Sequence, residues 1–194
     1  MVRAIHLREN KDTLSLLIGE KKLNLHYGDI TTINADAVVC PVDRNMDFRS
    51  GLARVISQAA GKGIRVHRPS FPEPYGKVVV LPGGDLKSKF VFLTVLLGEK
   101  EPEKVRQSIR QAVERTILYA EFLRLKSIAF PVLGSLDNCL PYTHIAQVML
   151  EEVVQYLQRR KTKLQAVLFS CFNQHAFKIF CTEAKTICNI PEEV

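Results

Sequence analysis

Leu23-Asn24-Leu25-His26-Tyr27-Gly28-Asp29-Ile30-Thr31 carries an alternating apolar run into an acidic turn, and in Asp36-Ala37-Val38-Val39-Cys40 every residue after the first is apolar. Alternation with a period of two marks a strand with one covered face, and a continuous apolar run marks a strand covered on both. Gly28 and Asp29 supply the turn between them. The order strand, acidic turn, buried strand, loop predicts an α/β sheet with the Asp29 carboxylate at the end of a strand.

The rest of the chain repeats this grammar. Runs at 14–18, 78–81, 90–95, 127–130 and 166–170 are rich in β-branched or aromatic residues and bounded by turn formers, so they read as further strands. Helical spacing lies between them. Residues 52–60 end at Gly61, a natural stop. Residues 101–125 carry Pro102 in the first turn and apolar positions at Val105, Ile109, Val113, Ile117 and Ala120. Residues 143–159 repeat Ile145, Val148, Met149, Val153, Tyr156 and Leu157, while Phe177, Phe180, Cys181 and Ala184 follow Asn173 as a candidate N-cap. The stretch 62–76, with Pro69, Pro72 and Pro74, reads as an irregular connection. Strands alternating with helices predict a mostly parallel sheet with helices on both faces, and ligands of such sheets settle beyond the carboxyl ends of the strands. The loops after Tyr27, Cys40 and Phe130 are therefore the places to search for chemistry.

Composition narrows the class. At 194 residues, 46% apolar and 24% charged, the chain suits one globular domain spanning 1–194. No apolar run approaches the roughly 20 residues of a membrane span, and Arg3, His6, Arg8 and Glu9 interrupt the N-terminus, so a cytoplasmic protein is expected. Five cysteines without a C-x-x-C pair, and histidines at 26, 67, 144 and 175 without ligand spacing, indicate free thiols and no metal or cofactor. Cys40 and Cys139 fall in loops expected to face one cleft, so each reads either as an inert buried thiol or as a nucleophile. The net charge of +7 favours anionic ligands from a nucleotide to RNA, but it is scattered, and the Arg159-Arg160-Lys161-Lys163 cluster suits a helix C-terminus.

The segments 28–31 (Gly-Asp-Ile-Thr), 35–39 (Ala-Asp-Ala-Val-Val), 51–53 leading to Ala59-Ala60-Gly61, and 128–135 (Ile-Ala-Phe-Pro-Val-Leu-Gly-Ser), with Pro141 before a long helix, together resemble the macrodomain family of ADP-ribose-binding modules. The resemblance implies a three-layer α/β/α fold with a mixed, mostly parallel central sheet. It also implies that Asp29 accepts a hydrogen bond from the adenine amine, with the backbone N–H of Ile30 beside it. Read without the family, Asp29 is equally a cap of a short turn.

The chain departs from the family at the remaining corners. Cys40-Pro41-Val42-Asp43 stands where most members carry Asn-Ala-Ala-Asn, so Asp43 is the candidate ribose contact and, in an enzymatic reading, the candidate catalytic base. Arg49-Ser50-Gly51-Leu52 replaces a glycine run at the first phosphate loop, with Arg44 and Arg49 as candidate phosphate partners. Gly134-Ser135-Leu136-Asp137-Asn138 replaces the second phosphate loop, with Asp137 as a second candidate N-cap. Asp43 and Asp137 bring negative charge towards a diphosphate, and like charges about 5 Å apart at an effective dielectric near 20 repel by roughly 3 kcal/mol. Pro82-Gly83-Gly84-Asp85 reads most simply as a turn, with lining of the cleft as the alternative.

Three functions stay open on these readings. The first is a binding module for ADP-ribose or a related adenine nucleotide, including ADP-ribosylated protein. The second is a mono-ADP-ribosyl hydrolase that uses Asp43. The third is an RNA- or protein-binding scaffold that no longer uses the cleft.

Overall fold

The computed structural model describes residues 4–48, 51–64, 70–96, 101–135, 140–158 and 162–190. Its eight strands are β1 (Ala4–Asn10), β2 (Thr13–Ile18), β3 (Lys21–Tyr27), β4 (Ala37–Val42), β5 (Val78–Pro82), β6 (Phe90–Val95), β7 (Ser127–Pro131) and β8 (Ala166–Cys171). Four helices accompany them: α1 (Gly51–Ala59), α2 (Pro102–Phe122), α3 (Tyr142–Leu157) and α4 (Gln174–Ile187). The strands form one mixed sheet in the order β1-β2-β3-β8-β7-β4-β6-β5. Its centre, β3-β8-β7-β4-β6, is parallel, while β1 and β2 on one side and β5 on the other run antiparallel to their neighbours.

Alternation along the central strands divides the core into two layers. Ala37, Val39, Phe92, Ile128, Phe130, Val167 and Phe169 face the layer filled by α2, α3 and α4. Val38, Cys40, Val42, Val91, Leu93 and Ala129 face the opposite layer, where Ala53 and Ile56 of α1 meet Ile30 and Ile33. Helices thus cover both faces, which is why β4 reads as continuously apolar. In α2, Val105, Ile109, Val113, Ile117 and Ala120 are buried as their spacing requires, and Asn173 caps α4 by accepting from the His175 and Ala176 N–H groups.

One strand was not expected, and two open readings close. β1 is an added strand: its sequence, Ala-Ile-His-Leu-Arg-Glu-Asn, is too polar to show a run because it lies at the sheet edge. The Gly83-Gly84 turn joins β5 to β6 at the amino edge of the parallel strands, away from the expected ligand loops. Gly84 has φ +61°, and any Cβ there would overlap the Ala60 carbonyl, so the glycine serves packing against the end of α1. Cys40 lies inside β4 with no exposed surface, its thiol pushed up to about 12 by burial. It is an inert core residue rather than a nucleophile.

Asp36 ties the amino edge together. Its Oδ2 accepts the N–H groups of Lys126 (2.8 Å) and Ser127 (3.1 Å), Oδ1 accepts Lys89 Nζ (2.8 Å), and its own N–H donates to Ser127 Oγ (2.9 Å). Burial pushes the carboxyl upward, but the Lys89 hydrogen bond and charge and the two backbone donors outweigh it and leave the group below its usual 3.8. A depressed folded pKa stabilises above the unfolded pKa and loses that contribution as pH falls through the folded value. Asp36→Asn is therefore expected to cost about 1–3 kcal/mol at neutral pH, in urea titrations, with the difference from wild type shrinking below about pH 4.

Candidate ligand-binding site

Two prolines open the sheet where the expected loops emerge. The β4–β7 ladder covers only Ala37↔Ile128 and Val38↔Ala129, although β4 continues beside β6 to Val42 and β7 continues beside β8 to Pro131. Asp36 O and Val42 O accept from Phe90 and Leu96, so even-numbered residues of β4 bond towards β6 and Pro41 is left facing β7. Lys126 O accepts from Ala166, so by the same alternation Pro131 faces β4. Neither proline has an N–H to donate. The carboxyl halves of β4 and β7 therefore part, and the crevice lies where successive connections turn in opposite directions along the sheet.

On one side of this crevice stands the turn after β3. Gly28 is fastened to β8, its N–H donating to Cys171 O (3.0 Å) and its carbonyl accepting from Ser170 Oγ (2.8 Å). The His26 imidazole packs over this glycine with Nδ1 buried. Asp29 then caps the 3-10 turn Ile30–Thr32, its Oδ1 accepting the Thr31 N–H at 2.9 Å. The carboxylate itself is exposed, while Ile30 is buried beneath it. Both readings of Asp29 are compatible with this geometry, because one oxygen serves as a cap and the side chain still faces outward. The Ile30 N–H begins the turn, where backbone donors lack an intrahelical partner.

Sequence reasoning missed Phe172. It follows the residue that anchors Gly28, and its ring is 85% exposed. Val167, Phe169 and Cys171 take the inward positions of β8, which leaves the next side chain outside the core and beside the Asp29 turn. That alternation, followed by an aromatic and a helix cap, was the available signal.

On the other side stands the loop after β4. Asp43 Oδ1 accepts the N–H groups of Asn45 (2.9 Å) and Asp47 (3.1 Å), and its carbonyl accepts that of Met46 (3.0 Å). Met46 takes φ +51° with its side chain buried in the α1 layer. Asp43 is thus the organiser of its own loop as well as an exposed carboxylate. Arg44 turns to the segment before β5 instead of the crevice, its guanidinium bonded to carbonyls there and 5.0 Å over the Tyr75 ring.

Gly51, with φ +57°, starts α1, and Leu52 packs against the α1 layer. Gly134, with φ +74°, presses on α2 so closely that a Cβ would stand 2.8 Å from Ile109 Cδ1, and Ser135 Oγ donates to Val132 O. Arg49, Ser50, Leu136, Asp137, Asn138 and Cys139 lie outside the described residues, as do Arg65, His67, Arg68 and the 159–161 cluster. Among the described residues no three acidic, histidine or cysteine side chains form a metal cluster, and no helix is long and apolar enough to cross a membrane.

Residues 39–149 match the model of the Macro domain family. An uncharacterized protein of Sulfurisphaera tokodaii is 31% identical over 160 residues, covering 79% of this chain and 85% of that one. A Cronobacter turicensis protein named O-acetyl-ADP-ribose deacetylase is 28% identical over 169 residues, covering 82% and 93%. The Oceanobacillus iheyensis macrodomain solved with ADP superposes with a TM-score of 0.79 over 96% of this chain and 98% of that chain, at 19% identity. A family match over more than half its length, with a three-layer fold that superposes on a solved macrodomain, makes this chain a member of the macrodomain family.

Proposed function

We propose that the chain binds ADP-ribose or a related adenine nucleotide in the β4–β7 crevice, as a binding module. The observation that carries this reading is the pairing of the exposed Asp29 carboxylate with the exposed Phe172 ring at the ends of β3 and β8. A carboxylate accepts from an exocyclic amine and an aromatic face stacks on the same base. β3 and β4 are three strand spacings apart in the sheet order, and β4 parts from β7 at this edge, which sets Asp29 and Asp43 at least about 14 Å apart along it. That span suits a ligand with a base at one end and a sugar at the other, joined by two phosphates. The solved relative holding ADP supports the reading. In a thermal-shift series, ADP-ribose and ADP should raise Tm at millimolar concentration while guanosine diphosphate, lacking the matching amine, does not; folded protein with no response to either adenine ligand overturns the reading.

A hydrolytic reading rests on Asp43 and on the similarity to the protein named O-acetyl-ADP-ribose deacetylase. There Asp43 orients a water at the sugar's reacting carbon as general base. Incubation with mono-ADP-ribosylated protein tests it, and turnover unchanged in Asp43→Ala removes that residue from the mechanism.

A further inference from the structure

We propose that Arg44 is a positioning residue: it fixes the loop that presents Asp43 by clamping it to the segment before β5, and it acts on the ligand through that loop rather than by touching phosphate. Only the ligand arm of the test rests on the reading of the crevice given above.

The clamp is reciprocal. Arg44 Nε donates to Glu73 O (2.9 Å) and Nη2 to Pro72 O (3.4 Å), while the Arg44 carbonyl accepts the Glu73 N–H (2.9 Å). The guanidinium carbon Cζ lies over the Tyr75 ring, 5.0 Å from its centroid. Planar donors in a fork, one face on an aromatic, use the features that distinguish Arg from Lys.

The partner segment is itself anchored. Gly76 N–H donates to Val95 O (2.8 Å), Val95 N–H donates to Lys77 O (3.0 Å), and Arg115 Nη1 donates to Tyr75 O (3.2 Å). Pro72 and Pro74 restrict its backbone further. Gly76, at φ +73°, leaves the room that the Arg115 guanidinium occupies. A segment tied to the carboxyl end of β6 and to α2 is a firm support for the neighbouring loop. Asp43, one residue before Arg44, spends Oδ1 on the Asn45 and Asp47 N–H groups, so the direction of its carboxylate follows the loop's shape.

Two explanations of Arg44 separate under Arg44→Lys. A phosphate contact needs positive charge, which Lys keeps; a clamp needs the fork and the flat face, which Lys lacks. Hydrogen exchange at the Asn45 and Asp47 amides in ligand-free protein is the first readout. Arg44→Lys and Arg44→Ala should both speed it by about tenfold or more, Tyr75→Phe should leave it near wild type, and Tyr75→Ala should speed it, with global Tm close to wild type. In the ligand arm, both Arg44 variants should weaken ADP-ribose by about tenfold yet leave AMP, which ends before the Asp43 loop, unchanged. Exchange at the wild-type rate in Arg44→Lys overturns the proposal. So does an ADP-ribose affinity that Lys preserves and Ala loses in a salt-dependent way. Wild-type protein that binds neither nucleotide refutes the crevice reading instead, and the exchange arm alone then decides the clamp.

Discussion

Phe130→Ala lowers the stability of the fold by about 3–5 kcal/mol, a loss in the top range for a single core truncation. Phe130 has no exposed surface and stacks on Phe169 with ring centroids 5.8 Å apart and planes 29° from parallel. Phe169 in turn meets Phe180 of α4 at 5.6 Å, so the ring joins β7, β8 and the helical layer. Truncation leaves a cavity that rigid strands close poorly. For a chain of this size each kcal/mol moves Tm by roughly 2–4 °C, so thermal unfolding should shift by about 10 °C. Phe130→Leu, which refills most of the volume, should cost less than half as much in the same urea titrations. An Ala variant within about 1 kcal/mol of wild type contradicts the assigned core.

Asp29→Ala weakens ADP-ribose binding by about ten- to a hundredfold, as expected for one hydrogen bond to a charged acceptor. It also removes the cap on the turn Ile30–Thr32, which costs about 1 kcal/mol of stability. Asp29→Asn separates the two roles, since its side-chain oxygen still accepts from the Thr31 N–H but the charge is gone. Asn should therefore keep near-wild-type stability and lose most of the affinity, measured by urea denaturation and by titration of the same preparation. Equal affinity in Asn and wild type makes Asp29 a cap alone.

The elements and the Asp29 turn were legible because they rest on short-range patterns. The strand at Lys21–Tyr27, the cap at Asp29 and the buried stripe of α2 are each written within a few residues. What was not legible depends on partners distant in sequence. Arg44 beside a phosphate loop reads as a phosphate ligand, but its acceptors, Pro72 and Glu73, lie 28 and 29 residues away. Pro41 and Pro131 are visible in the sequence, and their meaning appears only when the register sets them on facing strand edges. Phe172 stayed hidden because exposed aromatics are rarer than buried ones and the period-two reading stopped at Ser170. Gly83-Gly84 reads as a turn from its sequence, and only strand direction places that turn at the edge opposite the expected ligand loops.

Isothermal titration of the folded wild-type chain and Asp29→Asn with ADP-ribose, in parallel, decides whether the Asp29 carboxylate holds the base. Wild type should give saturable heat, and Asp29→Asn a dissociation constant about tenfold or more weaker at unchanged stability. The absence of heat for wild type at millimolar ligand, or identical curves for the two proteins, rules that role out.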